Sequence, residues 1–190
     1  MSPASRDASA PDSPNFIASH MPHGAITEVL PASADEVFRI IHDYSRRLEW
    51  DTLLREASLE PGHPQAALGA VAVCRGRRRL GGFALQTVYI SFDPGRVAAI
   101  RMINRPPFFD RFAATIRHTP IDASSSQVEY KFDFHARPRR LGWLLHPIMQ
   151  RAFAWETRHR LRALRQFLAG QGSAPDTMLH ARISSSGFNG

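Results

Sequence analysis

One cysteine, one lysine and no long apolar run set the first limits on this chain. The lone Cys74 excludes an intramolecular disulfide and offers no thiolate cluster for zinc, and it reads as a core residue. No stretch approaches the ~20 apolar residues of a membrane span. The first 22 residues lack the basic start and apolar run of an export signal, so a soluble cytoplasmic protein is expected. Lys131 is the sole lysine, so the net charge of +7 is carried by arginine, a bias that GC-rich coding explains as well as any function does. The nine histidines are scattered, with no HExxH spacing and no close Cys or carboxylate pairing, and imply neither metal nor cofactor. The GRRRLGG run at 76–82 lies between strand-like segments and lacks a Walker-type lysine, which makes it a hairpin rather than a phosphate loop. Arginines are not interleaved with aromatics on a strand face, which argues against a nucleic-acid partner.

What is present is period. Residues 1–22 are rich in Ser, Pro, Ala and Asp and read as a disordered leader, and 170–190 as a disordered tail. The domain is expected at 23–169, about 145 residues, enough to bury roughly two thirds of its surface. Gly24 to Leu30 is a strand, and after Pro31 a helix carries Val37, Ile40, Ile41 and Tyr44, with Ser33 or Asp35 able to cap it. A second short helical piece closes at Trp50-Asp51, where Trp50 is expected to lock it to the sheet and Asp51 to cap or pair locally. Strands are then predicted at 52–59, 68–76, 82–92, 96–103, 111–119 and 126–136. In the last, Val128, Tyr130, Phe132 and Phe134 alternate with Gln127, Glu129, Lys131, Asp133 and His135, as in a sheet packed on one face and wet on the other.

From Arg139 to Ala169 the period becomes helical, with Leu145, Met149, Phe153, Thr157, Leu161, Leu164 and Leu168 in a stripe and Arg151, Arg158, Arg160, Arg162 and Arg165 mainly off it. Pro147 disfavours helical geometry at His146, so the regular helix is predicted to begin at Pro147, with 141–145 either a separate turn or a kinked extension of it.

This order, through PASADEVFRIIHDYSRRLEWD, YISFDPGRVAAIRM, SSSQVEYKFDFHARP and the last helix, resembles the SRPBCC or START-like superfamily. That superfamily includes Bet v 1-like proteins and the polyketide cyclase/dehydrase and lipid transport group. The resemblance implies an α+β helix-grip fold: seven curved antiparallel strands around the C-terminal helix, two short helices after the first strand, and an apolar cavity between sheet and helix. On that footing the expected partner is a hydrophobic small molecule (a lipid, fatty acid, isoprenoid or polyketide-like compound) carried or sensed in the cavity. Its walls would be Phe112, Tyr130, Phe132, Phe134, Met149 and Phe153. The alternative is a cyclase or dehydratase acting by proton transfer, with Arg101, Tyr89 and Tyr130 as weak catalytic candidates and the direction of Arg101 left open by the pattern. Two or more polar side chains meeting in the cavity would separate the second reading from the first. Successive turns of a meander alternate between ends, which gathers Arg77, Arg78, Arg79, Arg105, Arg139 and Arg140 at one end with Phe108, Phe109 and Trp143. Arginines around exposed aromatics suit an anionic membrane surface.

Overall fold

The structure, a computed structural model, describes residues 23–77 and 82–172. The predicted leader, most of the tail and part of the arginine hairpin lie outside them. The elements run β1 (His23–Leu30), α1 (Ala34–His42), α2 (Arg47–Trp50), β2 (Leu54–Leu59), β3 (Val71–Gly76), β4 (Ala84–Asp93), β5 (Val97–Met102), β6 (Phe109–Pro120), β7 (Ser126–Ala136), a 3-10 turn (Arg139–Leu141) and α3 (Gly142–Gly172). The seven strands form one antiparallel sheet in the order β1-β7-β6-β5-β4-β3-β2, with α3 against it: the helix-grip fold.

Of the two possible caps on α1, Ser33 is used: its hydroxyl accepts from the Glu36 amide at 3.3 Å, relieving one of the unpaired donors of the first turn. The buried side of α1 (Val37, Phe38, Ile40, Ile41, His42) closes one end of the sheet. β7 keeps the predicted alternation, with Val128, Phe132 and Phe134 fully covered while Lys131 is exposed.

Three register shifts bend the sheet, at Leu54/Glu56, Tyr89/Ser91 and Phe109/Arg111. Each inserts one residue, which reverses the inward and outward parity beyond it. In β4 the extra residue is Ile90, exposed, so that Thr87 and Tyr89 point inward before it and Phe92 packs inward after it. In β6 it is Asp110, and Phe109 therefore joins Phe112 on the inner face. The expectation that Phe109 belongs with the exposed aromatics of the preceding loop is corrected on this ground.

Of the two readings of the helix start, the extension holds: α3 runs as one helix from Gly142 to Gly172 with Pro147 inside it, and it passes the expected edge at Ala169. Pro147 costs one backbone bond early in the helix, and His146 offsets it: its Nε2 accepts from the Ala136 amide at 3.1 Å and its ring meets Phe134 edge-on at 6.0 Å. The first turn is thus tied to the end of β7. Farther along, Thr157, Leu161, Leu164 and Leu168 are buried against the sheet.

Gly24 sits opposite Phe132 in the β1/β7 ladder, and a Cβ there would lie 2.5 Å from the Phe132 ring. Gly24→Val is expected to push that ring out of its packing and cost about 1–3 kcal/mol. A urea midpoint unchanged from the parent protein would show that the ring has room to yield.

Candidate functional site

Between the sheet and α3 lies a cavity of about 160 Å³. Its two sides differ. Leu85, Ile100, Phe109, Phe112, Ile116 and Phe153 make an apolar side, with the Phe153 ring 5.2 Å from Phe112 and 5.5 Å from Phe109. His42, Tyr44, Arg47, Thr87, Tyr89, Tyr130, Glu156, Thr157 and Arg160 supply polar atoms around the rest.

The polar side is built from α1, α2 and the connection between them, β4, β7 and α3. The Tyr89 hydroxyl, turned in by β4, lies 2.8 Å from His42 Nδ1 at the end of α1 and 3.1 Å from the Tyr44 hydroxyl in the α1–α2 connection. Burial pushes the Tyr89 phenol up to about 12, opposed by its bond to Tyr44 and by Arg47. Burial likewise raises Tyr44 well above its ordinary value and raises Tyr130. These phenols remain protonated at neutral pH and act there as hydrogen-bond donors. His42 is held well below the usual histidine range by burial, then by His118 and Arg47, and is a neutral ring.

Beside them Asp51, with no exposed side-chain surface, lies between two arginines. Arg47 Nε donates to Asp51 Oδ2 at 3.2 Å, and Arg160 Nε from α3 stands 3.5 Å from Oδ1. Arg47 also donates through Nη1 to the Ile41 carbonyl at 2.6 Å, and its guanidinium covers the Trp50 ring at 4.4 Å. Burial opposes the Arg47 charge, but Asp51 together with Cys74, Tyr44 and Tyr89 outweighs it and the group titrates above the ordinary range. Trp50, 3% exposed, thus serves the packing role expected of it, and Asp51 the pairing one. Glu156, one turn of α3 before Arg160, has its carboxyl pKa raised by burial, with Arg160 opposing.

Of the expected wall residues, Phe112, Tyr130 and Phe153 line the cavity. Phe132 and Phe134 lie in the core behind it, and Met149 packs against that core without reaching the cavity. Among the catalytic candidates, Tyr89 and Tyr130 reach the cavity, whereas Arg101 is exposed on the outer face of β5. Tyr44, His42, Arg47, Glu156 and Arg160 were not among the expected site residues. Arg160 was placed off the inner stripe of α3, yet Glu156 and Arg160, four apart, share the inward side of the helix with Thr157. The signal was there, because Glu156 is the one acid in a helix otherwise charged by arginine.

At the opposite end from α1, Arg77, Arg105 and Arg140 are exposed, as are Phe108 and Trp143. Arg78 and Arg79 lie outside the described residues, as does the side chain of Arg139. The connections do meet at this end: the Arg137 amide donates to the Phe108 carbonyl at 2.9 Å and the Phe83 and Phe108 rings lie 6.2 Å apart. No helix among the described residues is long and apolar enough to cross a membrane, and no group of three or more metal-ligating side chains gathers among them. A larger depression of about 750 Å³ lies outside α1, lined by Asp35, Arg39, Asp43 and His63, and shares His42 and Tyr44 with the cavity. It is the more open of the two and lacks Tyr89, Tyr130, Arg47 and Arg160, so the smaller cavity is the better candidate for the functional site.

Residues 21–168 match the profile of the polyketide cyclase/dehydrase and lipid transport family. Among solved structures, the Zhui aromatase/cyclase from Streptomyces sp. R1128 is similar at a TM-score of 0.66 and 19% identity, over 82% of this chain and 98% of that one. A START superfamily protein from Mycobacterium smegmatis gives 0.64 at 11% identity, over 78% and 98%. The di-domain ARO/CYC StfQ of the steffimycin biosynthetic pathway gives 0.66 at 12%, over 79% of this chain and 52% of that one. At these identities the likeness is one of fold. No curated protein matches the sequence significantly. The profile spans the first strand, the whole sheet and nearly all of the last helix, and on that ground the chain belongs to the polyketide cyclase/dehydrase and lipid transport family.

Proposed function

We propose that the cavity binds an oxygenated, partly apolar molecule of the polyketide kind and promotes proton transfer next to a carbonyl, as a cyclase or dehydratase would. The observation that carries this reading is the convergence of Tyr44, Tyr89 and His42 on one side of an otherwise apolar cavity. A pure carrier of hydrocarbon has no use for so many buried polar groups, each costly unless bonded. Tyr89, kept protonated, donates to the ligand carbonyl and stabilises the developing enolate, while Glu156 accepts the proton from the adjacent carbon. The half-buried arginines keep the local potential positive where that negative charge develops. The family description and the aromatase/cyclase neighbours support the substrate class.

A simple 1,3-diketone with an aromatic end, such as benzoylacetone, tests the chemistry without knowledge of the natural ligand. The protein is expected to accelerate deuterium incorporation at the carbon between the carbonyls in D₂O, and Tyr89→Phe to lower that rate roughly 10²-fold with binding retained. Binding without acceleration would return the protein to the carrier reading. A stoichiometric lipid extracted from the natively purified protein would identify what it carries.

A further inference from the structure

Helix α3 is weakly amphipathic for its length, and the reason is that it carries two apolar stripes rather than one. Thr157, Leu161, Leu164 and Leu168 face the sheet and are buried. On the opposite side Leu144, Ile148 and Trp155, spaced four and seven apart and so in one line, are 47%, 58% and 54% exposed. Trp155 is held by stacking on His159, with ring centroids 4.9 Å apart. Interleaved with them, and also exposed, are Arg151, Arg158 and Arg162. The only acidic residue of the helix, Glu156, is turned toward the cavity.

We propose that this outward face of α3 rests on an anionic lipid surface. Its charge decides the occupant. A second copy of the chain would bring two arginine-lined faces together, whereas negatively charged headgroups neutralise them. Leu144, Ile148 and Trp155 then enter the headgroup boundary as the apolar side of an interfacial helix, with the indole at the depth tryptophan favours. The surface lies along the helix rather than on the end loops, and it is independent of the chemistry inside the cavity.

The test is co-sedimentation of the full chain with vesicles made wholly of phosphatidylglycerol or wholly of phosphatidylcholine, at low and high salt. Binding is expected to phosphatidylglycerol alone, to weaken with salt and to shift tryptophan emission to the blue. Two triple variants should each weaken it by about one to two orders of magnitude: Leu144→Ser with Ile148→Ser and Trp155→Ser, and Arg151→Ser with Arg158→Ser and Arg162→Ser. All six positions are exposed or at the surface, and circular dichroism checks that the helix persists. If the apolar variant does not fold, the arginine variant carries the test alone. No binding of the parent protein to phosphatidylglycerol, or equal binding by the arginine variant, overturns the proposal. So does self-association that the apolar variant abolishes in the absence of vesicle binding, which would make this face a contact between copies.

Discussion

Replacing Asp51 by alanine is expected to lower stability by about 3–5 kcal/mol, the range for breaking a buried ion pair by removing one partner. The carboxylate has no exposed surface and faces Arg47, 13% exposed in its side chain, and Arg160, 27% exposed. Without it two guanidinium groups stand close together in a partly dry interior with no counter-charge. The Leu53 amide also loses the acceptor it now has at 3.3 Å. Because Asp51 follows α2 and Arg160 belongs to α3, the loss separates the short helix from the long one as well as removing charge. The control is the triple replacement Arg47→Met, Asp51→Leu and Arg160→Met, which removes all three charges together and should cost much less than Asp51→Ala alone. Urea midpoints of the three proteins decide it. If Asp51→Ala unfolds at the parent's midpoint, water reaches these arginines and the site is wetter than its burial implies.

How far the sequence discloses such a site depends on the range of the interaction. Strand β7 was legible because one face is wet and the other dry, so alternation appears directly in Val128 to Phe134. The Ser33 cap was legible because its partner Glu36 is three residues on. The start of α3 stayed open between a turn and an extension, because what outweighs the local penalty at Pro147 is a contact from His146 to the end of another strand. Phe109 and Phe92 escaped for a related reason. A single inserted residue in β6 or β4 reverses parity, and nothing in a strand-like pattern marks which residue is extra. The Arg47–Asp51–Arg160 group needs α3 laid across the end of α2, a tertiary fact. Family resemblance supplied the grip of sheet on helix but not the polar content of the cavity, since one fold accommodates carriers and enzymes alike.

Acid is expected to destabilise this protein from about pH 6.5 downward, through the buried histidines His42 and His118. His42 and His118 are 6% and 4% exposed, with ring centroids 6.2 Å apart. Phe38 lies against both, at 4.4 and 5.1 Å, and Phe92 is 5.5 Å from His42. Tyr89 bonds one nitrogen of His42, while the other and both nitrogens of His118 have no hydrogen-bond partner among the described residues. The charged groups that bear on His42 are His118 and Arg47, each of which opposes its proton, whereas burial alone lowers His118. Burial depresses His118 to about 4 and holds His42 well below its ordinary value. The unfolded chain, with histidines near 6.5, therefore binds more protons than the folded one below that pH. Stability should be full above about pH 6.5, fall as pH drops toward about 4, and flatten with respect to His118 below that, a loss of about 3 kcal/mol from this residue alone. His118→Leu keeps every carboxylate and removes one titrating ring, so denaturant unfolding of the two proteins across this window isolates the effect. The variant should be nearly as stable near about pH 5 as at neutrality, apart from what His42 still contributes. Parallel acid limbs in the two proteins would mean that His118 is already hydrated when folded, and that the loss of stability in acid arises elsewhere.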